Sequence, residues 1–511
     1  MDISSNKIIV KNTILLYIRM VITLLVSLYT SRVILAKLGV EDYGIYQVVG
    51  GIVGMLSFLN GALSTGSARF LTYALGKNDQ ERLSKTFSTT LSIHIVLAVI
   101  VVILAETIGL WFFYHELEIP KERLFAASVA YHLSILTSLI AITQVPYSAV
   151  IVAHERFNIY AYMSIVDVIL KLAVAYLLTI SRWDKLIFYS FMLCCIQVGL
   201  AFFYRFYCIK NFDESRYKFV YDKCILKDIA AFSGWSLFSN LSIALNAQGT
   251  TIITNMFFSP AVVAARAIAL QINMAAMQLI GNFRTAVDPQ IVKRYASGNE
   301  AGSRDLLLES TKYSFFLMYI IAFPIILLAE PLLQIWLGQV PEYSVIFLQL
   351  VVIESLFSIF DSSLYTALYA KGRLKENALI SPFVGLIRFI VVYFLFKNGF
   401  SPVALSWAGI VSYAILGLLI KPILVHKLVN YPLKELRRLY ISCFLVVLVS
   451  VPLVVCFCEF ISLFSYNQVL CHFLKALCCV IVILITVYYW GLGHSMRAKV
   501  CCYLKTKFLI R

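Results

Sequence analysis

Charge is what this sequence has least of. Only 14% of its 511 residues are Asp, Glu, Lys or Arg, against about a quarter in soluble domains. Acids are scarcer than bases, 27 against 43, and no polar stretch is long enough to form a separate soluble domain. The twelve cysteines form no metal-type CxxC repeat and no paired spacing on external loops, which argues against a zinc site and a disulfide framework. No Ser/His/Asp or DxD-like constellation lies on a loop, so no enzyme is expected and no cofactor is implied. The bases form no single stripe, and the net charge of +16 therefore does not indicate a nucleic-acid partner.

What the chain has instead is apolar length. Hydrophobic residues make up 61% of it, and the mean hydropathy is +0.85. A helix crossing a hydrocarbon core of about 30 Å needs about 20 apolar residues. Fourteen segments qualify: 13–36, 44–64, 86–106, 124–152, 158–181, 186–204, 229–257, 261–283, 313–333, 343–370, 378–396, 402–420, 439–460 and 469–492. The first is too long for a signal-peptide core and has no cleavage-type site after it, so it is kept as a helix. The expected fold class is an all-α polytopic membrane protein with about fourteen transmembrane helices.

The bases test this count, because Lys and Arg in short loops favour the cytoplasmic side. With the N-terminus inside, only Lys37, Lys121, Arg123, Arg182, Lys185 and Lys397 fall on external connections. Arg19, Arg32, Lys171, Arg266, Arg388 and Lys475 lie within spans, and the other bases fall on the tails and even-numbered connections. Both termini are therefore expected in the cytoplasm.

An internal repeat organises the spans. Ala153, Arg156, Ser164, Lys171 and Tyr176 recur as Ala370, Arg373, Ser381, Arg388 and Tyr393, and Tyr73-Ala74-Leu75-Gly76 resembles Tyr295-Ala296-Ser297-Gly298. Spans one to six thus recur as seven to twelve, entering the membrane in the same direction. The expected division is a six-helix bundle over 1–210, a second over 211–430, and two additional helices with a basic tail over 431–511. Transporters built from such repeats bind cargo between halves and move by rocking. Pro146, Pro289, Pro324, Pro382 and Pro452, with Gly50, Gly51 and Gly54, permit kinks and close helix approach.

Charges inside spans are costly and mark function or pairing. Lys171 and Arg388 hold matching repeat positions. Lys171 follows Asp167 by four residues and can pair with it on one helical face. Arg388, Arg19 and Arg266 have no acid at that spacing, so each needs a partner on another helix, in water, or on an anionic cargo. Arg388 could alternatively pair with Glu354 or Asp361, which share one face of span ten. Glu354, Asp361 and Asp167 are candidates for binding a coupling proton or sodium ion, or for neutralising the cations. Arg284 and Asp288 read as a local pair, and His94 and His132 read as core residues.

The stretch Ser27 to Gly51, SLYTSRVILAKLGVEDYGIYQVVGG, carries Arg32 before an LGxxxYGxY turn. With Arg69-Phe70-Leu71, the polar turn Gly76 to Asp79, and Ala153 to Phe157 (AHERF), it resembles the Wzx-type polysaccharide flippases, relatives of the multidrug MATE exporters and lipid II flippases. The resemblance implies a bacterial inner-membrane flippase that moves an undecaprenyl-pyrophosphate-linked oligosaccharide, such as an O-antigen or capsule unit, from the cytoplasmic to the periplasmic leaflet. It implies alternating access coupled to an ion gradient, a monomer, and a polysaccharide polymerase as a further partner. The cations Arg388, Lys171, Arg19, Arg266 and Arg32 would then contact the anionic glycan lipid, since guanidinium forks suit phosphate oxygens. The alternatives are a MATE-like multidrug or metabolite exporter, whose cargo is often cationic, and a membrane enzyme of polysaccharide assembly.

Overall fold

A chain surrounded by hydrocarbon must satisfy its backbone N–H and C=O groups internally, and helices do so segment by segment. The computed structural model follows this rule. It describes residues 3–56, 67, 70–71, 74–75, 79–154, 156–219, 240–464, 468–493 and 497, with side chains from Arg19 onward at most positions. Among these residues there is no strand, and twelve helices are long and apolar enough to cross a membrane.

The helices are α1 (Ile3–Leu38), α2 (Val40–Leu56), α3 (Gln80–His115), α4 (Leu124–Ala153), α5 (Phe157–Ile180), α6 (Lys185–Asn211), α7 (240–257), α8 (Pro260–Ala296), α9 (Glu300–Leu327), the short α10 (Ala329–Leu337), α11 (Ser344–Lys371), α12 (Leu374–Lys397), α13 (Ala404–Val429), α14 (Leu433–Phe464) and α15 (Gln468–Gly491). Twelve of the fourteen expected spans correspond to these crossing helices. The other two, 44–64 and 229–257, run into residues outside the described set, and their described parts are the helices α2 and α7.

Three expected boundaries move. The span 313–333 is broken at Leu328, because Pro331 in the first turn of α10 has no N–H and crowds the preceding turn. The span 186–204 runs on to Asn211 and so contains Arg205, whose guanidinium donates to the Thr143 hydroxyl at 2.6 Å and lies over the Tyr147 ring. The span 402–420 continues to Val429 through a buried lysine. All five prolines named from the sequence lie inside helices.

The turns before α5 and α12 have the same form. The Arg156 N–H bonds to the Ile151 carbonyl at 3.0 Å, and the Arg373 N–H to the Leu368 carbonyl at 2.9 Å. Donor and acceptor in the second turn are the repeat equivalents of those in the first. The Tyr73 to Gly76 half of the other match lies largely outside the described residues, as do Arg69, Lys77 and Glu155.

The chain divides into two compact units, residues 1–267 with 378–404, and residues 268–377 with 405–511. In the first unit the odd-numbered connections meet at one end. Arg123, preceding α4, holds Asp42 at the start of α2 and Asp184 at the start of α6, each at 2.6 Å. Asn255 at the end of α7 donates to the Glu118 carbonyl at that same end. The even-numbered connections meet at the other end, where the buried Glu214 contacts His154 at 2.5 Å and Gln80 at 3.3 Å. The starts of α2, α4 and α6 thus share one end, and the ends of α4 and α6 share the other.

The LGxxxYGxY turn has a steric basis. Gly39 adopts φ +90° between α1 and α2, a conformation suited to glycine. At Gly44 a Cβ would lie 1.9 Å from the Pro260 carbonyl oxygen, so only glycine lets the two backbones meet. The glycines singled out from the sequence do less: a Cβ at Gly51 or Gly54 would meet the Gln248 side chain at ordinary distances, and one at Gly50 would meet no neighbouring element within 4 Å.

In the second unit Arg284 does more than pair locally. It holds Asp288 at 2.6 Å and also donates to the Ser310 hydroxyl on α9 and to the Thr366 hydroxyl and Ser363 carbonyl on α11. It is 9% exposed and ties three helices together. An apolar core of Ile291, Leu307, Leu364, Leu368, Val425 and Leu436 packs beside it. The additional helices α14 and α15 pack on α9, through Tyr319 to Ser450 at 2.8 Å and through Phe323 against Val454 and Cys479. His94 is fully buried, with its Nδ1 2.9 Å from the Thr90 carbonyl, whereas His132 is exposed beside Glu106.

Both arginine clusters generate expectations. Arg123→Ala leaves two half-buried carboxylates facing each other and should cost about 1 to 3 kcal/mol, read as a lower melting temperature in detergent. At Asp184 burial raises the pKa, but hydrogen bonds from Arg123 and from the Ile187 and Leu186 amides outweigh it and hold the carboxyl below its ordinary value of 3.8. At Asp42, which has no such amide bonds, burial outweighs Arg123 and the pKa rises. A depressed acid stabilises the fold above its unfolded pKa and loses that contribution as pH falls through the folded one. The melting difference between wild type and Asp184→Asn should therefore stay constant from neutral pH down to about pH 5 and shrink below about pH 4. Arg284→Met should cost about 3 kcal/mol, and adding Asp288→Asn should recover more than half of the lost melting temperature. Additive losses in that double variant would show that the pair is not coupled.

Candidate functional site

The five candidate cations all lie in the first unit, and Glu354 and Asp361 lie in the second. Arg388 sits on α12, and α12 runs alongside α7 in the same direction. Ser242 donates to the Pro382 carbonyl at 3.1 Å, Phe389 packs against Gly249, and Phe257 meets the rings of Tyr393 and Phe396. This ladder holds Arg388 at 8% exposure. Arg266, at 6%, donates to the Thr251 hydroxyl of the same α7 at 3.3 Å. Two guanidinium-bearing helices thus pack on one polar helix, which also presents Asn246, Gln248 and Thr250.

Lys171 is placed differently from its repeat mate Arg388. It is exposed and pairs with Asp167 at 2.8 Å, the local arrangement that the four-residue spacing anticipates. On the facing α1, Arg19 is half-buried and Arg32 exposed. A hydrogen bond of 2.6 Å between the hydroxyls of Tyr29 and Tyr176 ties α1 to α5. The candidates therefore form two groups, Arg266 with Arg388 around α7, and Lys171 with Arg19 and Arg32 on α1 and α5.

In the second unit Glu354 is half-buried, next to Ser355, whose hydroxyl donates to Asn273 at 2.8 Å. Asp361 forms an ion pair at 3.0 Å with Lys421 on α13. Sequence reasoning missed Lys421, because a Lys-Pro step after an apolar run reads as the end of a span. The signal was nonetheless present: Ile423, Leu424 and Val425 follow Pro422, so Lys421 has apolar residues on both sides, as Lys171 and Arg388 do.

Chemically, the first unit offers buried guanidinium groups beside hydroxyl and amide side chains, a set that can bind anionic oxygen. Among the described residues no group of three or more His, Cys, Asp or Glu is arranged to hold a metal ion.

Residues 16–177 match the MatE family model. Over 419 residues the chain is 19% identical to the uncharacterized membrane protein EpsK of Bacillus subtilis (strain 168), a likeness covering 80% of this chain and 81% of EpsK. A multidrug resistance MATE family transporter of the MOP superfamily, solved in an inward-facing conformation, superposes with a TM-score of 0.70 at 16% identity, covering 82% of this chain and 99% of that one. The lipid II flippase MurJ in its inward closed conformation superposes with a TM-score of 0.67 at 14% identity, covering 93% and 98%. At these identities the shared property is the fold: this multi-pass chain has the architecture common to MATE transporters and MurJ.

Proposed function

We propose that this protein is a flippase that carries an undecaprenyl-pyrophosphate-linked oligosaccharide, an O-antigen or capsule repeat unit or a related glycan, across the bacterial inner membrane. Movement is from the cytoplasmic to the periplasmic leaflet, by alternating access of two six-helix repeats, with both termini in the cytoplasm. The observation that carries the reading is the pair of buried guanidinium groups, Arg266 and Arg388, packed on the polar α7. A charge inside a span marks function or pairing, and a pyrophosphate is an anion that forked guanidinium donors fit. The fold shared with the lipid II flippase MurJ supports the same reading. A drug exporter selecting cations would be disfavoured by these groups, and an assembly enzyme would need a catalytic cluster that the sequence does not offer.

In this reading Arg388 and Arg266 form the inner cargo contact, and Arg19, Arg32 and Lys171 assist along α1 and α5. Ion coupling falls to Glu354 and Asp167, and Asp361 serves the charge-neutralising role, paired with Lys421. A polysaccharide polymerase would receive the product, and the working unit is a monomer.

In proteoliposomes carrying a fluorescent undecaprenyl-pyrophosphate oligosaccharide in one leaflet, protein should make the glycan accessible to an impermeant probe on the other side. Arg388→Ala should lower that rate at least tenfold at unchanged abundance, and Arg388→Lys should restore part of it. Export of small organic cations with no lipid transfer would overturn the proposal.

A further inference from the structure

Lys421 is the most deeply buried charge on α13, 1% exposed, and the local backbone is shaped around it. The preceding turn, Ile415–Ile420, is π-helical, and the Lys421 N–H reaches back to the Leu416 carbonyl. In that widened turn the Gly417 carbonyl would look to residue 422, but residue 422 is proline and has no N–H. The Tyr440 hydroxyl on α14 supplies the missing donor at 2.7 Å. Gly417 also lets α13 close onto α11, since a Cβ there would sit 2.8 Å from the Phe357 carbonyl. One turn further along each helix, this contact brings Lys421 opposite Asp361 and Tyr365.

The ammonium then meets three groups. The Asp361 carboxylate lies at 3.0 Å, the Asn377 side-chain oxygen at the start of α12 is in hydrogen-bond contact, and the Tyr365 ring centroid is at 5.4 Å. An ammonium has three N–H bonds, and a carboxylate, an amide oxygen and an aromatic face are each an environment for positive charge. The set resembles what a free monovalent cation would receive in a buried site.

We propose that Lys421 is a tethered cation: its ammonium occupies a monovalent-cation site built from Asp361, Asn377 and Tyr365, and the protein therefore binds no free sodium or potassium ion there. Shortening the lysine empties the site while leaving the carboxylate, the amide oxygen and the ring in place. The vacated space fits an alkylammonium ion of the length removed, or a sodium or potassium ion. The inference concerns the second unit alone and does not depend on the identity of the cargo.

The test uses the full-length protein purified in detergent, with its melting temperature measured in choline chloride, sodium chloride, potassium chloride and propylammonium chloride at equal ionic strength. Wild type should be indifferent to the choice of cation. Lys421→Ala should melt several degrees lower in choline and recover saturably with sodium, potassium or propylammonium, and that recovery should vanish in Lys421→Ala/Asp361→Asn. If the alanine variant does not survive purification, Lys421→Gln serves in its place, and the small metal ions become the probes. A folded Lys421 variant indifferent to all these cations overturns the proposal, and so does a wild type stabilised saturably by sodium or potassium in a way that Asp361→Asn abolishes. None of these readouts involves lipid transfer, so failure here and failure of the flippase reading are distinguishable.

Discussion

Every polar group withdrawn into hydrocarbon has to find its partner within the protein, and this requirement organises the structure from backbone to side chain. It makes the chain helical. It also explains why the buried charges are constructed so elaborately. Arg284 uses one carboxylate, two hydroxyls and a backbone carbonyl from three helices. Lys421 uses a carboxylate, an amide and a ring. In each case the polar network does what apolar packing does elsewhere and also sets the register of the helices, because a slip by one residue would leave a buried charge uncompensated.

The same requirement governs the helix irregularities. A proline inside a membrane helix orphans a carbonyl, and the cost depends on whether another donor reaches it. At Pro422 the orphan is the Gly417 carbonyl, satisfied by Tyr440 from a helix outside the repeat. At Pro331 the helix breaks and restarts as α10. A kink satisfied by a neighbour couples two helices, whereas a break separates them, so prolines of equal appearance in the sequence have opposite mechanical effects.

Positions that match in sequence between the two halves differ in setting. The turn preceding α5 and the turn preceding α12 retain the same backbone hydrogen bond. Lys171 and Arg388, equivalent in sequence, do not share a setting. The first lies exposed beside an acid one turn away, and the second is buried where α12 packs on α7. An acid at position 167 keeps one charge local, and its absence from the corresponding place in α12 leaves the other to be accommodated by tertiary packing.

The membrane-length spans were legible in the residues, because hydrocarbon thickness fixes span length, and twelve of the fourteen correspond to helices long and apolar enough to cross a membrane. The Asp167–Lys171 and Arg284–Asp288 pairs were legible too, since both partners lie four residues apart on one helix. The Gly39–Gly44 motif was recognisable as a motif, although its cause, the Pro260 carbonyl against Gly44, was not. Lys421 escaped for a related reason: its acid lies sixty residues away on another helix, and no local period links the two. Sequence by itself thus determined which segments are membrane-length helices, because apolar length sets them apart. Tertiary structure alone decided which buried charges meet, because those meetings depend on helix packing distances of a few ångströms that no spacing along the chain encodes.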